Sequence, residues 1–236
     1  MRPRLALMQV EAALRGGLVV SCQPVEGGPL DDDDVVCRLA RAAVDGGAAG
    51  LRVAGASRVR RVRGAVEVPV IGIVKRDLKD SAVRITPHLQ DVQDLLDAGA
   101  DVIAVDATQR ARPVPVQALL AAIRGGGAVA MADASCLEDA RAAQALGFDI
   151  VGSTLSGYTG GPVPMHPDLE LVQLLAGLGM RVMAEGRFNT PAQAAAALQA
   201  GAWAVTVGSA LTRLEHATRW FCDALAGAAP PAASPR

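Results

Sequence analysis

The chain has 236 residues, 51% of them hydrophobic and only 3% aromatic, which is enough for one large core and too uniform along its length to suggest two. Its 23 basic and 24 acidic residues leave a net charge of −1, which argues against nucleic acid or an anionic membrane surface as a partner. No apolar stretch reaches the roughly 20 residues of a membrane span. Cys22, Cys37, Cys136 and Cys222 form no Cys-x-x-Cys pair, so neither a disulfide framework nor a zinc site is expected, and the cytoplasm is the expected compartment.

Residues 1–16 carry arginines but read as an amphipathic leading helix, without the apolar region or cleavage site of a secretory signal. Apolar, β-branched runs follow at Leu18–Cys22, Gly50–Val53, Val70–Val74, Val102–Val105, Val129–Ala132, Ile150–Thr154, Arg181–Ala184 and Ala204–Val207. Most are apolar on both faces, as strands inside a parallel sheet must be. Between them lie segments with helical spacing, such as Val92-Leu95-Leu96 and Leu119-Leu120-Ile123.

Start and stop signals agree with that alternation. Asp32 or Asp33 suits the N-cap and first turn of a helix, Ser135-x-x-Glu138 reads as a capping box ahead of Ala140–Leu146, and Thr190-Pro191-x-Gln193 adds proline at the first helical position. Gly46-Gly47, Gly99, Gly147 and Gly201 close helices before the next strand. Residues 227–236, Gly227 to Arg236, are small and proline-rich and read as a disordered tail, leaving residues 1–226 as one domain.

Eight strand-helix units with a leading helix across the bottom predict an α/β TIM barrel. An open doubly wound sheet is the alternative. It would want fewer strands and a glycine-rich first turn, where this chain has Cys22-Gln23-Pro24.

The chemistry-bearing residues sit where strands end. Lys75 follows its strand directly; partial desolvation there suits a base or a Schiff-base amine, and a solvated loop lysine is the plainer reading. Lysine is scarce in this arginine-rich chain, which favours a role that guanidinium cannot fill. Glu185 ends the seventh strand and can act as general acid or base or cap a helix, but Thr190 already supplies that cap. Gly186 and Gly208-Ser209, after the seventh and eighth strands, occupy loops that often bind phosphate through backbone N–H groups. Gln23, Arg52, Asp106 and Asp133 also end strands, and each fits either a substrate contact or an ion-pair ring. Arg213, read as one turn into the last helix, suits a phosphate or the surface. His88, His166 and His216 have no carboxylate partners at ligand spacing, so no metal is expected. The Ser156–Pro162 stretch, with the only tyrosine, reads as a lid or binding loop.

From about Gly17 to Leu225 the sequence resembles the N-acylglucosamine-6-phosphate 2-epimerases, also called N-acetylmannosamine-6-phosphate 2-epimerases. The likeness rests on Val20-Ser21-Cys22-Gln23-Pro24, Gly72–Leu78, Arg84-Ile85-Thr86-Pro87, Thr154–Thr159, Ala184–Pro191 and Gly201–Ala210. Gly50–Gly55 matches loosely and the tail is extra. The resemblance implies a ribulose-phosphate-binding type of TIM barrel that interconverts N-acetylmannosamine 6-phosphate and N-acetylglucosamine 6-phosphate in amino-sugar and sialic acid catabolism. It implies no cofactor and no metal, a small phosphosugar as partner, and a homodimer. Lys75 and Glu185 match the acid/base pair, and Gln23, Arg52, Asp133 and Arg213 match positions that contact sugar or phosphate. The phosphate is expected at Gly186, Arg187, Gly208 and Ser209. Other readings stay open: a metal-dependent pentose-phosphate epimerase, a Schiff-base aldolase or synthase using Lys75, and a phosphosugar sensor without catalysis.

Overall fold

Strands buried on both faces need neighbours on every side, and closing the sheet on itself supplies them. A computed structural model describes residues 3–228, and in it eight parallel strands form a closed barrel in the order β1 to β8. They are β1 Leu18–Cys22, β2 Gly50–Ala54, β3 Val70–Ile73, β4 Val102–Asp106, β5 Val129–Asp133, β6 Ile150–Gly152, β7 Arg181–Glu185 and β8 Ala204–Val207. Around them run α2 Asp33–Asp45, α3 Ala56–Arg63, α4 Leu89–Asp97, α5 Val116–Gly125, α6 Leu137–Leu146, α7 Leu169–Ala176 and α8 Pro191–Gln199. The chain starts with α1 Leu7–Leu14 and finishes with the single turn α9 Ser209–Thr212 and α10 Leu214–Ala228. This is the TIM barrel that the sequence predicts.

The two-residue period of a strand explains the site as well as the core. Inward positions at the bottom and middle are apolar: Val19, Ile71, Ile73, Val102, Ala104, Val129, Met131, Ile150, Met183 and Ala204 pack into one cluster. Two residues further along the same inward rows stand Ser21, Lys75, Asp106, Asp133, Glu185 and Thr206. Each strand is therefore apolar where it is sealed and polar where the barrel opens. Outward positions such as Leu51, Val53, Ile103 and Val105 pack against the helices instead.

The leading helix is shorter than the sequence suggests, but it closes the bottom as expected. Val10 and Leu14 of α1 are fully buried in the inner cluster. Ahead of it, the Arg4 guanidinium donates to the carbonyls of Leu96 (2.7 Å), Ala100 (2.6 Å) and Gly126 (2.5 Å). Arg181 pairs with Glu11 at 2.6 Å from the foot of β7.

Two local expectations need correction. Ser135 does not cap α6: Cys136 takes the N-cap position, and the Ser135 N–H and hydroxyl both donate to Asp139 Oδ2, at 3.0 and 2.7 Å. The helix starts one residue later than the signature suggests, so Asp139 takes the third helical position and its carboxylate gathers the N–H and hydroxyl of Ser135. Gly227 and Ala228, assigned to the tail, complete α10, and the remainder of the tail, 229–236, lies outside the described residues. Asp32 and Thr190 cap α2 and α8 as expected, and Gly147 ends α6 in the left-handed conformation at φ 94°.

Leu14 fills the space above a glycine: a Cβ on Gly50 would stand 2.5 Å from Leu14 Cδ2. Truncation cannot be repaired by neighbours that are themselves strand residues. Leu14→Ala is expected to cost about 2–5 kcal/mol in urea denaturation. A loss below about 1 kcal/mol would contradict the role of α1 as a packed floor.

Candidate active site

Above the apolar floor, three charged side chains and a hydroxyl form one cluster. Arg52, from β2, grips Asp133 of β5 with both terminal nitrogens, Nη2 to Oδ2 at 2.6 Å and Nη1 to Oδ1 at 3.2 Å. The same Nη1 reaches Glu185 Oε2 of β7 at 3.0 Å. Thr154, two residues past β6, stands 2.7 Å from Asp133 Oδ1 and 3.3 Å from Glu185 Oε2 through its Oγ1. Arg52 and Asp133 are fully buried, whereas Glu185 retains 13% side-chain exposure and lines a cavity of about 620 Å³ at the open end.

Lys75 lines the same cavity from the opposite wall. In the ring, β3 and β7 are four strands apart, so Lys75 and Glu185 stand across the mouth from one another. Lys75 is exposed to water at the cavity. Partial desolvation by the surrounding protein, then the nearby Arg213 and Arg52 cations, lower its pKa to about 8 against the opposing pull of Glu185. Burial pushes the Glu185 carboxyl up, Asp133 adds to the rise, and Arg52 and Lys75 oppose it. Both shifts weaken the preference for the charged forms and so bring the two proton affinities closer together.

The other predicted residues are placed unequally. The Gln23 amide donates to Ser21 Oγ at 2.7 Å, and its buried Oε1 has no hydrogen-bond partner among the described residues. Arg213 sits at the junction of α9 and α10 rather than one turn into a helix, and its Nε donates to the Gln23 carbonyl at 2.9 Å. Gly186 at φ 110° makes a turn that only glycine adopts easily, and Gly208 lies so close to β1 that a Cβ would be 3.3 Å from Ser21 Cβ. Gly208 and Ser209 border the cavity beside Gly186. Asp133 does not line the cavity; it lies behind Arg52. Asp106 reaches the wall, but it is paired with Arg110 at 2.6 Å and accepts the Thr108 hydroxyl at 2.7 Å.

Arg187 spends its guanidinium on the loop after β6. Its Nε donates to the His166 carbonyl at 2.7 Å, its Nη1 to the Ser156 carbonyl at 2.6 Å, and the cation lies 5.3 Å from the centre of the Tyr158 ring. With Nε and Nη1 committed to the loop, its backbone N–H and Nη2 are the groups left for a phosphate. Thr154, Arg84, Thr206, His216 and Trp220 also line the cavity without having been expected there. Thr154 and Thr206 continue inward rows and were legible in principle; His216 and Trp220 depend on how α10 crosses the mouth. Among the described residues, no three His, Cys, Asp or Glu side chains are grouped to hold a metal.

Arg52 is the cation that both carboxylates touch. Arg52→Met keeps the bulk and removes the charge, leaving Asp133 and Glu185 facing each other in the interior. The expected loss is about 3–5 kcal/mol of unfolding free energy at neutral pH. Arg52 holds the Glu185 carboxyl down, so without the guanidinium that carboxyl rises further above its unfolded value and the loss shrinks as the pH falls through that range. A loss that grows on acidification would contradict this account of the cluster.

Comparison with known proteins places this geometry. Residues 36–227 match a family described as "Putative N-acetylmannosamine-6-phosphate epimerase". A protein of Klebsiella pneumoniae (strain 342), called "Putative N-acetylmannosamine-6-phosphate 2-epimerase", is 57% identical over 228 residues, covering 96% of this chain and 97% of its own. One of the same description from Edwardsiella ictaluri (strain 93-146) is 56% identical over 218 residues, covering 92% and 93%. The solved structure of the N-acetylmannosamine-6-phosphate 2-epimerase from Clostridium perfringens superposes with a TM-score of 0.88 at 39% identity, covering 91% of this chain and 95% of its own. On fold, cavity and sequence together, the chain belongs to the N-acetylmannosamine-6-phosphate 2-epimerase family.

Proposed function

We propose that this protein interconverts N-acetylmannosamine 6-phosphate and N-acetylglucosamine 6-phosphate, in amino-sugar and sialic acid catabolism, by taking a proton from one face of C2 and returning one to the other. The observation that carries this reading is the opposition of Lys75 and Glu185 across one cavity, their pKa values drawn towards each other. C2 of the open-chain sugar is α to the C1 aldehyde, so removing its proton places charge on the C1 oxygen as an enolate. In one direction the Lys75 amine takes the proton and the Glu185 carboxylic acid delivers one. The pair is then ammonium and carboxylate, which is the state the reverse substrate requires. The two states carry the same net charge, so a single pH supports both.

The remaining residues hold the substrate so that C2 lies between the pair. Backbone N–H groups of Gly186, Arg187, Gly208 and Ser209 take the phosphate, with Arg213 beside them. Gln23 lines the cavity and is the group set to meet a sugar hydroxyl. Arg52 orients Glu185, and Asp133 acts on the sugar through Arg52. No cofactor takes part.

Lys75→Ala and Glu185→Gln are each expected to lower kcat by about 10² to 10⁴. Lys75→Arg is expected to be nearly as damaging, since guanidinium keeps its proton. Above a pH of about 8 the neutral lysine faces an ionised glutamate and the pair lacks a proton to deliver, so kcat/KM falls there. A profile that keeps rising through that range contradicts the paired mechanism. The lowered pKa of Lys75 also suits an imine-forming amine. Borohydride reduction with substrate separates the two, a covalent adduct at Lys75 supporting the imine route.

The cytoplasm suits this reaction: Cys22, Cys37, Cys136 and Cys222 are all free thiols, as in a reducing compartment, and no helix among the described residues is long and apolar enough to cross a membrane. A homodimer suits α10. No residue of α10 is buried, and Leu214, Phe221 and Leu225 form one outward stripe, Phe221 being 74% exposed and Leu225 72%, while His216 and Trp220 turn to the cavity. A second copy covering that stripe would remove it from water. Light scattering is expected to give twice the chain mass, and Phe221→Asp a monomer. A monomeric parent protein would contradict this.

A further inference from the structure

The ring of strands has a seam beside Lys75. β3 and β4 pair only at Ile71↔Val102 and Gly72↔Ile103, whereas β4 and β5 pair over five positions. Above Gly72 the two strands part, and residues 84–86 return from the long β3–α4 loop to fill the gap. On the β3 side, Thr86 N–H donates to the Val74 carbonyl at 2.7 Å and Arg76 N–H donates to the Arg84 carbonyl at 3.0 Å, making Lys75 and Ile85 antiparallel partners. On the β4 side, Asp106 N–H donates to the Ile85 carbonyl at 3.0 Å.

One hydroxyl joins both sides. Thr86 Oγ1 donates to the Ala104 carbonyl of β4 at 2.7 Å and accepts the Val74 N–H at 3.2 Å. Thr86 is fully buried and has φ 48°, in the left-handed region where a β-branched residue is strained. Strain of this kind persists where surrounding contacts over-determine the backbone, and it collects at working sites. Thr86 therefore brackets Lys75: its N–H and hydroxyl hold both polar groups of the residue immediately before the lysine.

We propose that Thr86 is the positioning residue of Lys75, its hydroxyl and left-handed backbone clamping the strand end so that the amine points across the cavity at Glu185. This rests on the reading of Lys75 as a proton carrier. The charged groups facing Lys75 are Arg52 from β2, Glu185 from β7, Arg213 between α9 and α10, and Arg84 from the wedge itself. A slack strand end moves the lysine away from the cations and towards water. Both changes raise its pKa.

Lys75 and Lys79 are the two lysines of the chain, so lysine labelled with 13C at Cε reports Lys75 directly by NMR titration. Thr86→Gly adopts the same φ without strain but has no hydroxyl, Thr86→Val keeps the bulk, and Thr86→Ser keeps the hydroxyl. In the glycine and valine variants, Lys75 is expected to titrate well above 8 and towards 10.5, with the alkaline limb of kcat/KM moving the same way. kcat should fall about tenfold to a hundredfold with KM little changed, the pattern of a misplaced catalytic group, and serine should restore both readouts. Circular dichroism checks folding, and if valine fails to fold the glycine variant decides. A folded Thr86→Gly protein whose Lys75 still titrates near 8 at full kcat overturns the clamp. Full activity in Lys75→Ala instead overturns the reading of the lysine, while the titration still shows whether Thr86 holds it.

Discussion

A guanidinium buried among carboxylates is the constraint around which this barrel mouth is built. Arg52 has no access to bulk water, so the cost of burying its charge is met by Asp133 through two contacts and by Glu185 through a third. Because β2, β5 and β7 each contribute one member, the cluster fixes the mutual placement of strands from three sides of the ring. It also bears on the proton affinity of Glu185: burial raises that carboxyl, Arg52 pulls it back down, and the neighbouring Asp133 charge adds to the rise.

Lys75 completes the balance from across the cavity without touching the cluster. Its pKa is lowered first by desolvation, then by Arg213 and by the same Arg52 that restrains Glu185. The site thus places one group that readily gives up a proton opposite one that readily holds it. This arrangement suits epimerisation of a carbon acid, because the proton leaves one face and arrives at the other. The loop after β6, pinned by Arg187 to the carbonyls of Ser156 and His166, forms one wall of the space in which that happens.

Strand positions were legible in the sequence because burial on both faces leaves continuous apolar runs, and the residues that break those runs are the ones facing the cavity. Lys75, Glu185 and Gly208 announced themselves in this way. Asp133 did so too, but whether it would face substrate or a partner depended on Arg52, three strands away in the ring, and such distances are invisible to local pattern. Ser135 misled for a related reason: its capping signature was intact, but the helix starts one residue later, with Cys136 as its N-cap, and Ser135 donates to Asp139 instead. The wedge of Arg84 to Thr86 lay in a loop with no periodicity to read, and α10 gave no hint that His216 and Trp220 would reach the cavity.

In the proposed reaction C2 exchanges its proton with groups of the protein that themselves exchange with water. Incubating N-acetylmannosamine 6-phosphate with the protein in D2O and following C2 by NMR tests this directly. Deuterium is expected at C2 of the N-acetylglucosamine 6-phosphate formed, with loss of that incorporation together with turnover in Lys75→Ala and Glu185→Gln. Product that forms at full rate with its original hydrogen still at C2 would contradict it.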